Sequence, residues 1–299
     1  MIVDGHLHLF RQLSPDYPRA VHELFPPERE ALAEDFLELM AANDVGHAVV
    51  VPLSPNDEYL VDVLRAYPGT FAGVAVNDDK DPHPEARLDR VTELGMQGLR
   101  VGRLGDPGTR RAEDLPLYPT LRKMAESGQK VWFYAPPDQL PLLELVTAAL
   151  PELRLVLNHL GFFPTGFSMG ADGLPHIPSE LPAPTLPAVA ALAKRPNVYV
   201  MLSGQYGFSK LGYPYDDLTS TVRTLFDAYG PERMFWASDY PWIAANPGYS
   251  RLIELPSRQL PSLSAADLDM IMRGTASRLF GFDEGGATLQ GSSSSSIKA

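Results

Sequence analysis

The sequence contains no cysteine among its 299 residues. That absence excludes disulfides, thiolate-bound metals and a cysteine nucleophile, and leaves chemistry to oxygen and nitrogen side chains. Positive charge is also scarce: 25 Lys and Arg face 37 Asp and Glu, a net charge of −12. An acidic surface repels a phosphate backbone, so nucleic acid is not an expected partner. No apolar run approaches the roughly 20 residues that a membrane-spanning helix needs, so a membrane is not expected either. The segment from Met1 to Phe10 lacks a basic stretch followed by a long apolar one, and reads as a first strand, not an export signal. The expected location is the cytoplasm and the expected partner a small molecule; assembly as a homo-oligomer stays open.

What is present suits one large α/β domain. Hydrophobic residues make up 44% and charged residues 21%, enough apolar surface to fold rather than stay disordered. Short apolar runs of β type occur at Ile2–Asp4, His47–Leu53, Phe71–Val76, Gly98–Gly102, Val131–Tyr134, Leu155–Asn158, Val198–Leu202 and Met234–Ala237. They lack polar alternation, as strands covered on both faces do. Stretches of helical spacing lie between them, at Glu28–Ala42, Tyr59–Ala66, Pro84–Leu94, Leu117–Ser127, Gln139–Leu150, Thr185–Ala193, Asp216–Tyr229 and Ala265–Phe280. Ser264 is placed to cap the last of these, and Gly128, Gly230 and Gly281 each follow a helical run where a left-handed residue belongs. Eight strands alternating with eight helices predict a (β/α)8 TIM barrel, a single α/β domain over residues 1–282. The longest interruptions are Phe10–Pro27, Gly102–Leu115, Gly161–Pro184 and Ser203–Tyr215. All four follow the carboxyl end of a strand, the face on which such barrels build their sites. Residues 283–299, with five consecutive serines, read as a disordered tail or a cloning scar.

Three local patterns stand out. In Asp4-Gly5-His6-Leu7-His8 the histidines are two apart on a strand and share one side. They can hold one cation or substrate between them, or be a hydrogen-bonded structural pair. In Leu157-Asn158-His159-Leu160-Gly161 an apolar strand ends in a histidine, placed for catalysis or for a backbone cap. In Phe235-Trp236-Ala237-Ser238-Asp239 a strand ends in a carboxylate that could bind metal, take a proton from water, hold a histidine or cap the next segment. Arg100 and Arg103, in and just beyond the fourth strand, would suit a substrate carboxylate. Tyr134, Gln205 and Tyr206 follow strand ends and could bond substrate oxygen or simply pack.

In this order, Asp-Gly-His-x-His, Asn-His-Leu-Gly, the run from Gly230 to Trp242 and the run from Thr275 to Phe282 resemble the amidohydrolase superfamily, most nearly its amidohydrolase-2 branch. The stretch Phe133 to Leu140 resembles the branch's lactonase-like members, of the 2-pyrone-4,6-dicarboxylate lactonase and sugar lactonase type. The resemblance implies a barrel with His6, His8, His159 and Asp239 around the reacting centre. It also shows one departure: most metal-binding members carry a histidine or modified lysine at the end of strand five, where this chain reads Val131-Trp132-Phe133-Tyr134-Ala135. The leading expectation is hydrolysis of a lactone, with Asp239 and His159 catalytic and Arg100, Arg103, Tyr134 and Tyr206 binding substrate. A divalent metal, zinc or manganese, would sit on His6, His8 and Asp239. Two alternatives remain. One is a metal-dependent non-oxidative decarboxylase or hydratase of an aromatic or muconate-like acid, against which the missing ligand argues. The other is a barrel that binds without catalysis.

Overall fold

The computed structural model describes residues 1–170 and 173–282; the tail expected at 283–299 lies outside the described residues. The chain opens with β1 (Ile2–Leu7), α1 (Ala33–Ala42), β2 (Val45–Val50) and α2 (Glu58–Ala66). It continues through β3 (Phe71–Gly73), β4 (Ala75–Val76), α3 (Pro84–Glu93), β5 (Gly98–Val101), α4 (Tyr118–Ser127), β6 (Lys130–Phe133) and α5 (Leu140–Ala149). Next come β7 (Arg154–Leu157), the hairpin of β8 (Ser168–Met169) and β9 (Pro175–His176), and α6 (Leu186–Ala191). The rest is β10 (Val198–Leu202), α7 (Gln205–Phe208), α8 (Thr219–Tyr229), β11 (Met234–Trp236), α9 (Tyr249–Gln259), α10 (Ala265–Asp269) and α11 (Thr275–Phe280).

Parallel pairing runs β1–β2–β3 in one set and β4–β5–β6–β7–β10–β11 in the other. The chain itself joins the sets, because β3 and β4 are one stave broken at Val74: β3 pairs with β2 and β4 with β5. The opposite seam is closed by two backbone bonds, Asp239 N–H to the His6 carbonyl at 3.0 Å and His8 N–H to the Tyr240 carbonyl at 2.7 Å. The outcome is the expected (β/α)8 barrel, and every expected strand is found within a few residues of its predicted bounds.

Two apolar layers hold it. Alternate residues of the staves, among them Val3, Val49, Ala72, Trp132, Val156, Met201 and Phe235, fill the interior together with Leu279 and Phe280 of α11. The other face of each stave packs on the helices. On β1 the register slips between Asp4 and Leu7: three steps there oppose two on β2, from Ala48 to Val50. This bulge re-aims side chains. Val3 lies in the interior layer, and the His6 ring also reaches the interior, where it meets Trp132.

Besides the β8–β9 hairpin and α7, which lie in stretches expected as loops, three features depart from the sequence reading. α9 was not expected, because Pro256 sits inside it and breaks the helical pattern. The stretch expected as one helix over Ala265–Phe280 is α10, a π-helical turn at Met270–Gly274, and α11. Gly128 and Gly281 take the left-handed cap conformation, whereas Gly230 has positive φ with ψ 172° and turns the chain away instead.

The seam between β1 and β11 demands a glycine. A Cβ on Gly5 would lie 2.3 Å from Cδ2 of Phe235, itself fully buried, and 2.9 Å from the Trp236 carbonyl oxygen. Gly5→Ala should therefore lower stability by about 2 kcal/mol. The check is urea denaturation, in which the midpoint should fall with the slope unchanged; an unaltered midpoint would contradict this close approach.

Candidate active site

The groups expected to carry chemistry stand at the carboxyl ends of the staves. His6 lies in β1 and His8 just past it; His159 follows β7, Asp239 follows β11, Tyr134 follows β6 and Tyr206 lies in α7 beyond β10. His159 and Asp239 both have left-handed backbones, with φ of 48° and 59°. Such conformations cost energy in side-chain-bearing residues and persist where the surroundings over-determine them. Asp239 is held by its N–H bond to His6 across the seam, and His159 by a neighbour that leaves it room. A Cβ on Gly204 would lie 2.6 Å from His159 Nδ1.

Asp239 is the hub. Its Oδ1 lies 3.5 Å from His6 Nε2 and 3.4 Å from His8 Nε2, and its Oδ2 lies 3.9 Å from His159 Nε2. The Tyr206 hydroxyl donates to Oδ2 at 2.5 Å. All four residues around the carboxylate are buried, as is Asp239. Burial alone would raise the Asp239 carboxyl, but the imidazoles of His159, His6 and His8 outweigh it and hold the group well below the usual carboxylate range. Burial pushes His6 down to about 3 and His159 down to about 4. At neutral pH the hub is therefore a carboxylate beside the neutral imidazoles of His6 and His159, with Tyr206 kept protonated by burial and by Asp239.

The imidazole protons are placed by what stands behind each ring. His8 Nδ1 is 2.8 Å from the Val51 carbonyl, which can only accept, so His8 keeps its proton on Nδ1. The Trp132 indole donates to His6 Nδ1 at 3.1 Å. His159 Nδ1 bonds the Ser203 hydroxyl at 2.8 Å, a group that serves either tautomer.

A cavity of about 270 Å³ opens onto this hub, with Phe25, Phe167, Phe208 and Trp242 among its walls and Arg100 and Tyr134 among its polar groups. The Arg100 guanidinium lies over the Tyr134 ring, 5.1 Å from its centre, and makes no hydrogen bond or ion pair among the described residues. A cation left this way suits an incoming anion. Arg103 does not join it. That residue is exposed, lies past the end of β5 at Val101, and lines a separate depression with Asp79 and Asp106. Tyr206 borders the cavity as expected, but its hydroxyl is committed to Asp239, which the sequence did not reveal. Gln205 is committed too: its amide exchanges hydrogen bonds with Gln259. The strand-five position holds Trp132 and Tyr134, so no fifth ligand is supplied there.

The donor set suits a divalent cation on spacing. His6, His159 and Asp239 each offer a ligand atom within 4.8 Å of the others. His6 Nε2 and Asp239 Oδ1 are buried and lack a hydrogen-bond partner among the described residues. A tetrahedral ion with bonds of about 2.1 Å separates its ligand atoms by about 3.4 Å. The distances of 3.5 and 3.4 Å from His6 and His8 to Asp239 Oδ1 match that edge.

An eight-stave barrel with a carboxylate and three imidazoles gathered at its strand ends defines a barrel enzyme of hydrolytic type. The chain belongs to the amidohydrolase family, whose profile matches residues 3–282. It is 27% identical over 248 residues to an L-fucono-1,5-lactonase of Burkholderia ambifaria, covering 80% of each chain. It is 30% identical over 277 residues to a D-galactarolactone isomerase of Agrobacterium fabrum, covering 88% of this chain and 86% of that one. Its fold matches the crystal structure of an amidohydrolase from Burkholderia multivorans with bound zinc, at a TM-score of 0.72 and 24% identity, over 94% of this chain and 99% of that one. No helix among the described residues is long and apolar enough to cross a membrane.

The lowered pKa values make stability depend on pH. His6 and His159 stay neutral in the fold down to about 3 and about 4. In the unfolded chain they take protons at about 6.5, so their contribution is complete above that pH and is lost as pH falls toward the folded values. Asp4 acts with the opposite sign: burial raises its carboxyl to about 6, so its contribution is lost as pH rises through that value. The His159→Asn variant should separate the two. Its urea midpoint should fall less than the wild-type midpoint between pH 7 and pH 5; an equal fall would show that His159 is protonated in the fold.

Proposed function

We propose that the protein hydrolyses a small lactone that carries a carboxylate. The observation that carries this reading is Asp239, an ionised carboxylate fixed among imidazoles on a cavity that also holds an unpaired arginine. The lactone names of the relatives support it. Arg100 receives the substrate carboxylate, and Tyr134 packs beside it. Asp239 Oδ1, which has no hydrogen-bond partner among the described residues, and His8 Nε2, 3.4 Å from it, orient one water at the cavity floor. Asp239 takes a proton from that water as its oxygen attacks the lactone carbonyl carbon. His159 faces the same space and stabilises the oxyanion that forms. When the ring C–O bond breaks, Asp239 returns the proton to the departing oxygen, and the product is a hydroxy acid. Zinc or manganese would be held by Asp239 and His6 with His8 or His159 as the third ligand, and when bound would polarise the carbonyl and acidify the water.

A panel of lactones, with and without a ring carboxylate, tests this by following acid release. Asp239→Asn should lower kcat/KM by about 10³- to 10⁴-fold with little change in fold. Undiminished turnover would remove Asp239 from the chemistry. Arg100→Met should raise KM by roughly 10- to 100-fold on carboxylate-bearing lactones and leave neutral ones nearly unaffected. An equal effect on both would remove Arg100 as the anion anchor.

A further inference from the structure

The two histidines of the His6-Leu7-His8 motif are not equivalent, and the difference is set from inside the barrel. An indole N–H can only donate. With Trp132 Nε1 3.1 Å from His6 Nδ1, that nitrogen must present its lone pair. This disposes of the imidazolium and of the Nδ1–H tautomer together, and leaves the proton on Nε2, which faces Asp239 Oδ1 at 3.5 Å. Behind His8 stands an acceptor, the Val51 carbonyl, so His8 keeps a proton on Nδ1. The indole cannot turn aside: Trp132 is fully buried, with its ring centre 5.4 Å from that of Phe280 and 6.0 Å from that of Phe235.

We propose that Trp132 is a positioning residue: it locks His6 as the Nε2–H tautomer, so that His6 points a proton at Asp239 and is a weak cation ligand. The inference goes beyond the lactonase reading and stands whatever the substrate. A cation on His6 Nε2 needs a lone pair there. The proton would have to move to Nδ1 and meet the indole N–H head-on, donor against donor. A metal-bound histidine ordinarily has an acceptor behind it, and removing such a partner costs about 10- to 100-fold in affinity. Here the group behind the ring has the opposite polarity, so removing it should strengthen binding by a similar factor. The spacing of the hub admits a cation, while the proton on His6 opposes one.

Two measurements test this. In histidine labelled with ¹⁵N, long-range proton–nitrogen correlation should show His6, assigned by its loss in His6→Asn, protonated on Nε2 in the wild type. A proton on Nδ1 there would overturn the proposal by itself. Trp132→Phe removes the donor and keeps an aromatic ring. Its zinc affinity, read by competition with a chromophoric chelator, should rise about 10- to 100-fold over wild type. A merely structural tryptophan would give the reverse, since a loosened site binds metal less well. Unchanged or weaker zinc binding in a folded Trp132→Phe would sink the proposal. If that variant does not fold, the wild-type spectrum decides alone.

Discussion

Closing the barrel and building the site depend on one buried carboxylate. Asp4 lies in β1, fully buried, and its two oxygens reach across the seam. Oδ1 accepts the Ser238 N–H at 2.9 Å and the His6 N–H at 3.3 Å, and Oδ2 accepts the Tyr249 hydroxyl of α9 at 2.8 Å. The last stave is thereby tied to the first by a side chain, beside the backbone bonds of His6 and His8 with Asp239 and Tyr240. Burying Asp4 is costly, as its raised carboxyl shows. The return is register. A one-residue slip at this seam would turn the histidines away from Asp239. Structure and chemistry are therefore not separable here, because the bonds that close the cylinder also set the distances of the hub.

The hub itself is a controlled imbalance. Three imbalances meet at Asp239: a charge without a full counter-ion, the imidazoles of His6 and His159 too buried to take a proton, and a tyrosine hydroxyl pressed against one oxygen. In water each would relax at once. In the barrel mouth they persist, because the apolar layer around Trp132 and Phe235 below and the aromatic walls above leave no room to rearrange. A carboxylate that stays ionised and keeps one oxygen unsatisfied is open to a proton from an oriented water.

Much of this was legible in the sequence because parallel staves are buried on both faces and read as unbroken apolar runs. His6 and His8 were legible through strand alternation, and His159 and Asp239 through their places at strand ends. The rest was hidden for identifiable reasons. Trp132 reads as one more core residue in Val-Trp-Phe-Tyr; its use of the indole N–H depends on a neighbour 126 positions away. Tyr206 was expected to touch substrate, and only the fold shows its hydroxyl spent on Asp239. Arg103 was grouped with Arg100 by proximity along the chain, but it lies past the end of β5, where the loop carries it to a separate depression. α9 was concealed by Pro256, a case of tertiary packing overriding a local helix breaker.

The division of labour between staves and loops has an evolutionary consequence. The acid–base hub is anchored to barrel backbone, whereas Phe25 and Phe167 of the cavity wall come from the long excursions after β1 and β7. Insertions or replacements in those excursions can reshape what enters the cavity without moving the hub. A lineage built this way can trade one small molecule for another by drift in its loops. Change at Asp4, Gly5 or Gly204 would instead disturb every chemistry the scaffold has carried.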